Sequence, residues 1–272
     1  MKLSTRKISL IAILVAFYYI ISLLPGIPIL GVAAPTIGLG AAIATIFGIM
    51  LGPYLGFLAA LLSAVTALVL SPSSFILGAP FLLSPPMNAL VSGFVFKSSN
   101  LSTESPKYKN GWIVAFIVLG FLALAFWATP LCQPINSYVF IANGTVTSVH
   151  KVNTIPTYYI GIAANFDKII AWLLIIPTIL IAKKFSTTQK RTFAFFFLLA
   201  FVGNQSDASV GNLIFALPFV YKGIFGYSTE AVRLLFLISP LYYPAVRIFQ
   251  SLIAAIVCVP LVRALRTRGW NL

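Results

Sequence analysis

Eight apolar stretches, punctuated by Pro, Gly and charged residues, follow one another along the chain. A helix that crosses the ~30 Å hydrocarbon core of a bilayer needs about 20 apolar residues, and fewer where neighbouring helices surround it. The pattern therefore predicts an all-α, polytopic membrane bundle of about eight helices, forming a single transmembrane domain over residues 1–272. The predicted spans are 8–24, 36–51, 54–70, 81–96, 112–129, 158–182, 192–221 and 242–262.

The composition excludes a soluble protein. Hydrophobic residues make up 60% of the chain and charged residues 8%, whereas a soluble domain carries about 25% charged residues. The 18 Lys and Arg against 4 Asp and Glu give a net charge of +14. These basic residues form short clusters between apolar runs, so they do not build a nucleic-acid-binding face. We interpret the basic excess as a signal of membrane orientation.

Most of the basic residues fall on one side of the predicted bundle. They are Lys2, Arg6, Lys7, Lys97, Lys107, Lys109, Lys183, Lys184, Lys190, Arg191, Arg263, Arg266 and Arg268. The positive-inside rule makes this side cytoplasmic, so both termini are predicted to be cytoplasmic in a multi-pass protein of the cell membrane. Residues 131–157, with Lys151 alone, form the predicted extracytoplasmic loop, which contains a glycosylation acceptor pattern at Asn143. The first span resembles a signal peptide but is longer than the usual ~7–15 apolar residues, which favours a retained helix.

Small residues recur every four positions in the second and third spans. The series is Gly40, Ala44, Gly48, Gly52, Gly56, Ala60 and Ala64. Small side chains let membrane helices approach closely, so these two spans are predicted to pack tightly on neighbours, or to form part of a subunit interface. Pro53 breaks the run and predicts a tight turn between the two helices.

Polar side chains at similar depths in the last three spans suggest a ligand site. They are Asn165, Asp167 and Lys168 in the sixth span, Asn204, Asp207 and Asn212 in the seventh, and Tyr243 and Arg247 in the eighth. Ionisable groups are costly in lipid unless they are paired or face a cavity. We therefore predict that these groups converge on one pocket in the outer half of the membrane. Their balanced charges suit a zwitterion or a heterocyclic vitamin better than a strong anion.

The same residues have a purely structural interpretation, in which buried ion pairs fix the helix register without any ligand. Because adjacent residues point in different directions on a helix, Asp167 and Lys168 are each expected to find a partner elsewhere. Gly203 and Gly211 flank the polar patch of the seventh span and predict a helix that is buried or locally unwound.

Two features are predicted close to the last span. Pro240 and Pro244 predict an interrupted start of its helix. Glu230 and Arg233, three residues apart, are expected to form a surface pair.

Several elements in order resemble the substrate-binding S components of energy-coupling-factor (ECF) vitamin transporters. Ala12-Ile13-Leu14-Val15-Ala16 resembles the Ala-x-x-x-Ala motif with which that family contacts its transmembrane coupling subunit. The first hundred residues then continue through Pro25-Gly26-Ile27-Pro28 to Gly48-Ile49-Met50-Leu51-Gly52-Pro53, and the last seventy contain Tyr243-Pro244-Ala245-Val246-Arg247.

The resemblance implies a subunit that captures a vitamin, a vitamin precursor or a similar small solute, or a metal. Ala12 and Ala16 would contact the coupling subunit, and two cytoplasmic ATPases would drive import, since this chain has no phosphate-binding loop of its own. Eight apparent spans exceed the six typical of the family, so additions to a six-helix core are expected.

Two alternatives belong to other functional classes. One is a self-sufficient secondary transporter. The other is a membrane enzyme, such as an archaeosortase-like peptidase using Cys132, His150 and Arg247. One His, two Cys and four acids predict no metal centre and no cofactor. We therefore do not expect an enzyme.

Overall fold

A computed structural model describes residues 5–28, 36–71, 78–99, 109–133, 139–142, 145–148, 157–183 and 189–270. Eight α-helices lie in these ranges, one for each predicted apolar span. They are α1 (Thr5–Ser22), α2 (Gly40–Leu51), α3 (Pro53–Leu70), α4 (Ser84–Lys97), α5 (Gly111–Ala125), α6 (Thr157–Lys183), α7 (Gln189–Phe215) and α8 (Thr229–Thr267). Seven of the helical segments are long and apolar enough to cross a membrane, which confirms the predicted polytopic helical bundle.

Helix α2 differs from the other seven in length and burial. Its 12 residues extend only about 18 Å at the helical rise of ~1.5 Å per residue, which is less than the bilayer core. Every residue of α2 is buried. The second apolar stretch is therefore an internal helix that the longer helices surround.

The remaining described elements are short. Strands β1 (Ile27–Pro28) and β2 (Thr36–Ile37) pair antiparallel, as do β3 (Val139–Ala142) and β4 (Thr145–Ser148). Single 3₁₀ turns lie at Ala79–Phe81, Phe126–Ala128 and Pro130–Cys132, and a wide π-type turn covers Phe219–Ile224 between α7 and α8.

Helices α4 and α7 lie at the centre of the bundle. Helix α4 packs on α2, α3, α5 and α7, while α7 also packs on α6 and α8. Of the long helices, α7 is the most buried and α1 the least. Antiparallel α7 and α8 pair Asp207 with Arg247 and Asn204 with Ser251. The polar patch of α7 is thus enclosed by protein and does not face lipid.

Small residues allow the close contacts of α2, as their spacing predicted. A Cβ placed on Gly48 would lie 2.8 Å from the backbone nitrogen of Gly93 in α4, so a larger residue cannot fit there. Gly52 ends α2 with a φ of 80° and immediately precedes Pro53, the first residue of α3. That positive φ favours glycine at this turn.

Two local expectations are wrong, and one is decided between its two alternatives. Helix α8 runs without interruption from Thr229 through Pro240 and Pro244, because neighbouring helices can compensate for the missing N–H groups of membrane prolines. Helix α7 is a regular α-helix between Gly203 and Gly211, so it is buried but not unwound. It ends at Phe215, earlier than the predicted bound of the seventh span.

The bundle has two opposite ends that can each be defined by one residue. At one end, Arg233 near the start of α8 donates to the carbonyl oxygens of Leu131 and Gln133, beyond the C-terminus of α5. We call this the Arg233 end. The opposite end, at the α2–α3 turn, is the Gly52 end.

Candidate ligand-binding site

A buried ion pair joins α7 to α8. Arg247 donates through Nη1 to Asp207 Oδ2 at 3.2 Å, and about one tenth of each side chain is exposed. The same nitrogen donates to Gln250 Oε1 at 2.9 Å, and Gln250 Nε2 donates to the carbonyl of Gly38. The pair is therefore connected to the backbone just before α2. Asp207 lies about two helical turns before the C-terminus of α7, which is at the Arg233 end of the bundle.

A second ion pair lies on α6 and corrects the expectation for Asp167 and Lys168. Lys168 Nζ lies 2.7 Å from Asp167 Oδ1, and the backbone N–H of Lys168 donates to the same oxygen. The four-carbon Lys stem is long enough to fold back onto the preceding residue, so adjacent positions on a helix do form a pair here. Both side chains are almost fully buried. The positive charges of Lys168 and Arg247 are close enough to repel each other. The two ion pairs are therefore neighbours.

The asparagines of this region use their amide donors within the protein. Asn212 Nδ2 donates to the carbonyl of Ala164 at 3.0 Å and links α7 to α6. Asn165 Nδ2 donates to Gly161 one turn earlier in its own helix. Asn204 accepts from Asn88 Nδ2 and donates to Ser251 Oγ, each at 2.9 Å. These bonds hold the helices that carry the charged pairs.

Asn88 of α4 was not predicted from the sequence, but it connects the site to the rest of the bundle through Asn204. Its amide also donates to the carbonyl of Ala41, and its Oδ1 accepts from Thr45 Oγ1. One side chain thereby joins α2, α4 and α7. Its amide lies in the middle of the apolar 81–96 stretch, and this position could have indicated a buried polar contact.

Tyr243 lies one turn before Arg247 on α8 and is partly buried. It interacts electrostatically with Arg247, and its ring packs edge-on against Tyr242 at a centroid distance of 5.7 Å. The structure thus joins five of the eight predicted ligand residues through named contacts: Asp167, Lys168, Asp207, Tyr243 and Arg247. Of the other three, Asn165 bonds within α6, Asn212 bonds to the backbone of α6, and Asn204 bonds to Asn88 of α4 and Ser251 of α8.

Unpaired polar atoms remain on the three helices that carry these residues. Among the buried side-chain atoms of the described residues, Asp167 Oδ2, Arg247 Nε and both amide atoms of Gln205 have no hydrogen-bond partner. Buried polar groups are normally bonded, so each exception requires an explanation. The set includes donors and acceptors, and the two ion pairs carry no net charge. Chemically, such a site can bind a small polar molecule that has no large net charge.

Ala12 and Ala16 lie on an exposed face of α1. In the sequence, both are far from the residues of the ion pairs. Leu14 and Tyr18 are the buried residues of this helix. The two alanines therefore stand on the face that is available to lipid or to another subunit.

The residues of the peptidase alternative do not form an exposed reactive centre in the part of the chain that is described. Cys132 is buried beside Phe126 and Leu131, and burial raises the pKa of its thiol. A raised pKa disfavours the nucleophilic thiolate. His150 and the acceptor Asn143 lie outside the described residues. Within those residues, no group of three His, Cys, Asp or Glu side chains is placed to hold a metal ion.

Arg233 also departs from its expected position. Its side chain is buried, not at the surface, and it donates to Leu131 at 3.0 Å and to Gln133 at 2.7 Å. The short 3₁₀ segment Pro130–Cys132 and the residue after it, Gln133, thus provide backbone carbonyl groups that compensate this buried guanidinium.

Comparison with known proteins identifies the family. Residues 2–149 match the family model described as ECF-type riboflavin transporter, S component. Neither the curated proteins nor the solved structures contain a match. The family match covers α1 to α5, whereas the two ion pairs lie on α6, α7 and α8. Because it spans more than half of the chain, the protein belongs to the ECF-type riboflavin transporter S components and is a multi-pass membrane protein, the substrate-binding subunit of a transporter.

Proposed function

We propose that this subunit captures a vitamin-type solute in the neighbourhood of its two buried ion pairs, with riboflavin as the first candidate. The observation that carries the proposal is the set of buried, unpaired polar atoms on three neighbouring helices, at Asp167 of α6, Gln205 of α7 and Arg247 of α8. Polar atoms of this kind are costly in a membrane protein unless a ligand or water bonds to them. The family description supports riboflavin, because it names that vitamin.

The side chains have different roles in this proposal. Asp167, Lys168, Asp207 and Arg247 provide charged donors and acceptors, while Tyr243 provides an aromatic wall beside Arg247. Asn165, Asn204 and Asn212 border the ligand and maintain the helix positions through the bonds described above. Because the charges balance, a neutral or zwitterionic solute adds no uncompensated charge to the buried site.

The proposed orientation puts both termini and the Gly52 end in the cytoplasm. The clusters of Lys and Arg along the sequence support it through the positive-inside rule. The ion pairs then lie in the outer half of the membrane, and residues 131–157 form an extracytoplasmic loop of a single transmembrane domain. A solute would arrive from outside the cell.

Import requires further subunits. S components of ECF transporters work with a membrane coupling subunit and ATPases, and we propose that this chain docks on such a coupling subunit through Ala12 and Ala16. The exposed position of both alanines on α1 supports this role. Small side chains at a helix surface allow a second helix to approach closely in the bilayer.

A titration of the detergent-purified protein with riboflavin tests the proposal. Flavin fluorescence reports binding, and native mass spectrometry reports any retained solute. Asp207→Ala and Arg247→Ala should each abolish measurable binding while the protein still inserts into the membrane. Arg263→Ala, which removes an exposed charge near the other end of α8, should bind riboflavin as the unmodified protein does. Unchanged riboflavin affinity in both site variants would reject the assigned pocket.

A further inference from the structure

Gln205 of α7 differs from the polar residues on both sides of it. Asn204 and Gln205 are both fully buried, yet Asn204 bonds through both amide atoms to Asn88 and Ser251. Ser206 Oγ bonds to the carbonyls of Met87 and Gly203. Neither Nε2 nor Oε1 of Gln205 has a partner among the described residues. The fold thus provides partners for its neighbours but not for this amide.

An amide with both atoms free has a defined recognition chemistry. The carbonyl oxygen accepts and the NH₂ group donates, and the two atoms lie side by side on one plane. The complementary group is an N–H next to a C=O, as in a primary amide, a lactam or a cyclic imide. Two parallel hydrogen bonds then give both amide atoms of Gln205 a partner and fix the orientation of the ring.

The charged side chains of α6, α7 and α8 restrict the ligand further. Asp167 is already paired with Lys168, and Asp207 with Arg247. These four charges cancel, so a ligand with a strong net charge would leave a buried charge uncompensated.

We infer that Gln205 is a specificity-determining residue that binds the amide or imide edge of a ligand without net charge. The inference deepens the proposed function and rests on it, because it assigns a contact within the same site. It lies on α7, outside the segment that the family match covers.

Two variants separate ligand recognition from a structural role. Gln205→Met keeps the length of the side chain and removes both polar atoms, and Gln205→Glu keeps the shape but replaces the NH₂ donor with an oxygen. The probes are riboflavin, whose ring imide has an N–H between two carbonyls, and its N3-methyl derivative, which lacks that donor. The matched control is Asn204→Leu, at an equally buried amide whose atoms are bonded within the protein.

We expect the unmodified protein to bind riboflavin at least ~10-fold more tightly than the N3-methyl derivative, a factor that corresponds to about 1.4 kcal/mol. Gln205→Met should bind both flavins weakly and with equal affinity. Gln205→Glu should also lose affinity for riboflavin once its carboxyl is ionised, because a carboxylate cannot donate to a ring carbonyl. Without flavin, Gln205→Met should unfold at the same temperature as the unmodified protein or a higher one, and Asn204→Leu at a lower one.

The outcomes distinguish the two proposals. If the unmodified protein binds neither flavin, riboflavin is rejected as the substrate, and the unfolding temperature still decides the role of Gln205. A lower unfolding temperature of flavin-free Gln205→Met means that the amide is bonded within the protein, which overturns the inference. Unchanged riboflavin affinity and unchanged discrimination in Gln205→Met also overturn it, while the proposed function stands.

Discussion

Gly203 of α7 packs directly against the side-chain amide of Asn88 in α4. A Cβ placed on Gly203 would overlap Asn88 Oδ1 and lie 3.2 Å from the Cβ of Ser92. The missing side chain lets Asn88 reach Asn204, one residue further along α7. The glycine that precedes the polar patch therefore has a packing role, which is to allow the interhelical amide bond.

Gly203→Ala should separate α4 from α7 and weaken the Asn88–Asn204 bond. Overpacking a well-packed core typically costs about 1–3 kcal/mol, so the unfolding temperature in detergent should fall. Gly211→Ala is the matched control, because a Cβ there meets its nearest neighbour, Ser84 Oγ, at an ordinary 3.7 Å. Equal unfolding temperatures for the two variants would show that the close contact at Gly203 has no energetic importance.

The ion pair between Asp207 and Arg247 should behave as a coupled unit in a double-mutant cycle. Removal of one partner leaves a buried charge uncompensated, which costs roughly 3–5 kcal/mol. Asp207→Asn and Arg247→Met should each destabilise the protein strongly. The loss of stability in the double variant should be much smaller than the sum of the losses in the two single variants. The measurement is unfolding in detergent without any ligand. Additive losses would mean that the two groups do not stabilise each other.

The helical bundle and the meeting of Asp207 with Arg247 could be predicted from the sequence. The length of an apolar stretch and the presence of a charge within it can both be read directly along the chain. The direction in which a long, flexible side chain extends cannot be read from the sequence in this way. The flexible stem of Lys168 pairs with Asp167, although their backbone positions point apart. Asn88 was overlooked because its partners Ala41, Thr45 and Asn204 come from distant segments.

Buried Arg233 shows the same limit at one end of the bundle. Its partners include the backbone carbonyls of Leu131 and Gln133, about a hundred residues earlier in the chain. Carbonyl groups leave no trace in the side-chain pattern, so the sequence could only suggest the nearby Glu230 as a partner. The predicted surface location followed from that pairing and is wrong for Arg233.

Arg233→Met should loosen the short segment that follows α5. The variant removes donors to Leu131 and Gln133 while retaining much of the apolar stem, so the segment loses its bonds to α8. Amide hydrogen exchange at Cys132 and Gln133 should accelerate at least ~10-fold through local opening. Amides in the centre of α4 serve as the internal control. Exchange at Cys132 and Gln133 that does not change would show that the guanidinium does not hold this segment.

Cys132 should react slowly with thiol reagents in the native protein. Burial is the main cause that raises the pKa of its thiol above the ordinary value, against smaller opposing effects of Thr129 and Arg233. The thiolate is the reactive form, so alkylation at pH 8 should be slower than for an exposed cysteine and should accelerate as the pH rises past 9. Cys258→Ala provides a background with one thiol. Rapid labelling near pH 7 would instead favour an activated nucleophile and renew the case for a peptidase.

Docking through α1 should depend on the small size of Ala12 and Ala16. Leucine at either position would hold a partner helix away from the backbone of α1, so Ala12→Leu and Ala16→Leu should reduce co-purification with a coupling subunit at least ~10-fold. Riboflavin affinity should not change, because the two ion pairs lie on α6, α7 and α8. Ala245→Leu, at an exposed alanine of α8, controls for a general effect of added surface bulk. If both α1 variants co-purify as well as Ala245→Leu, the coupling subunit docks on another face of the bundle.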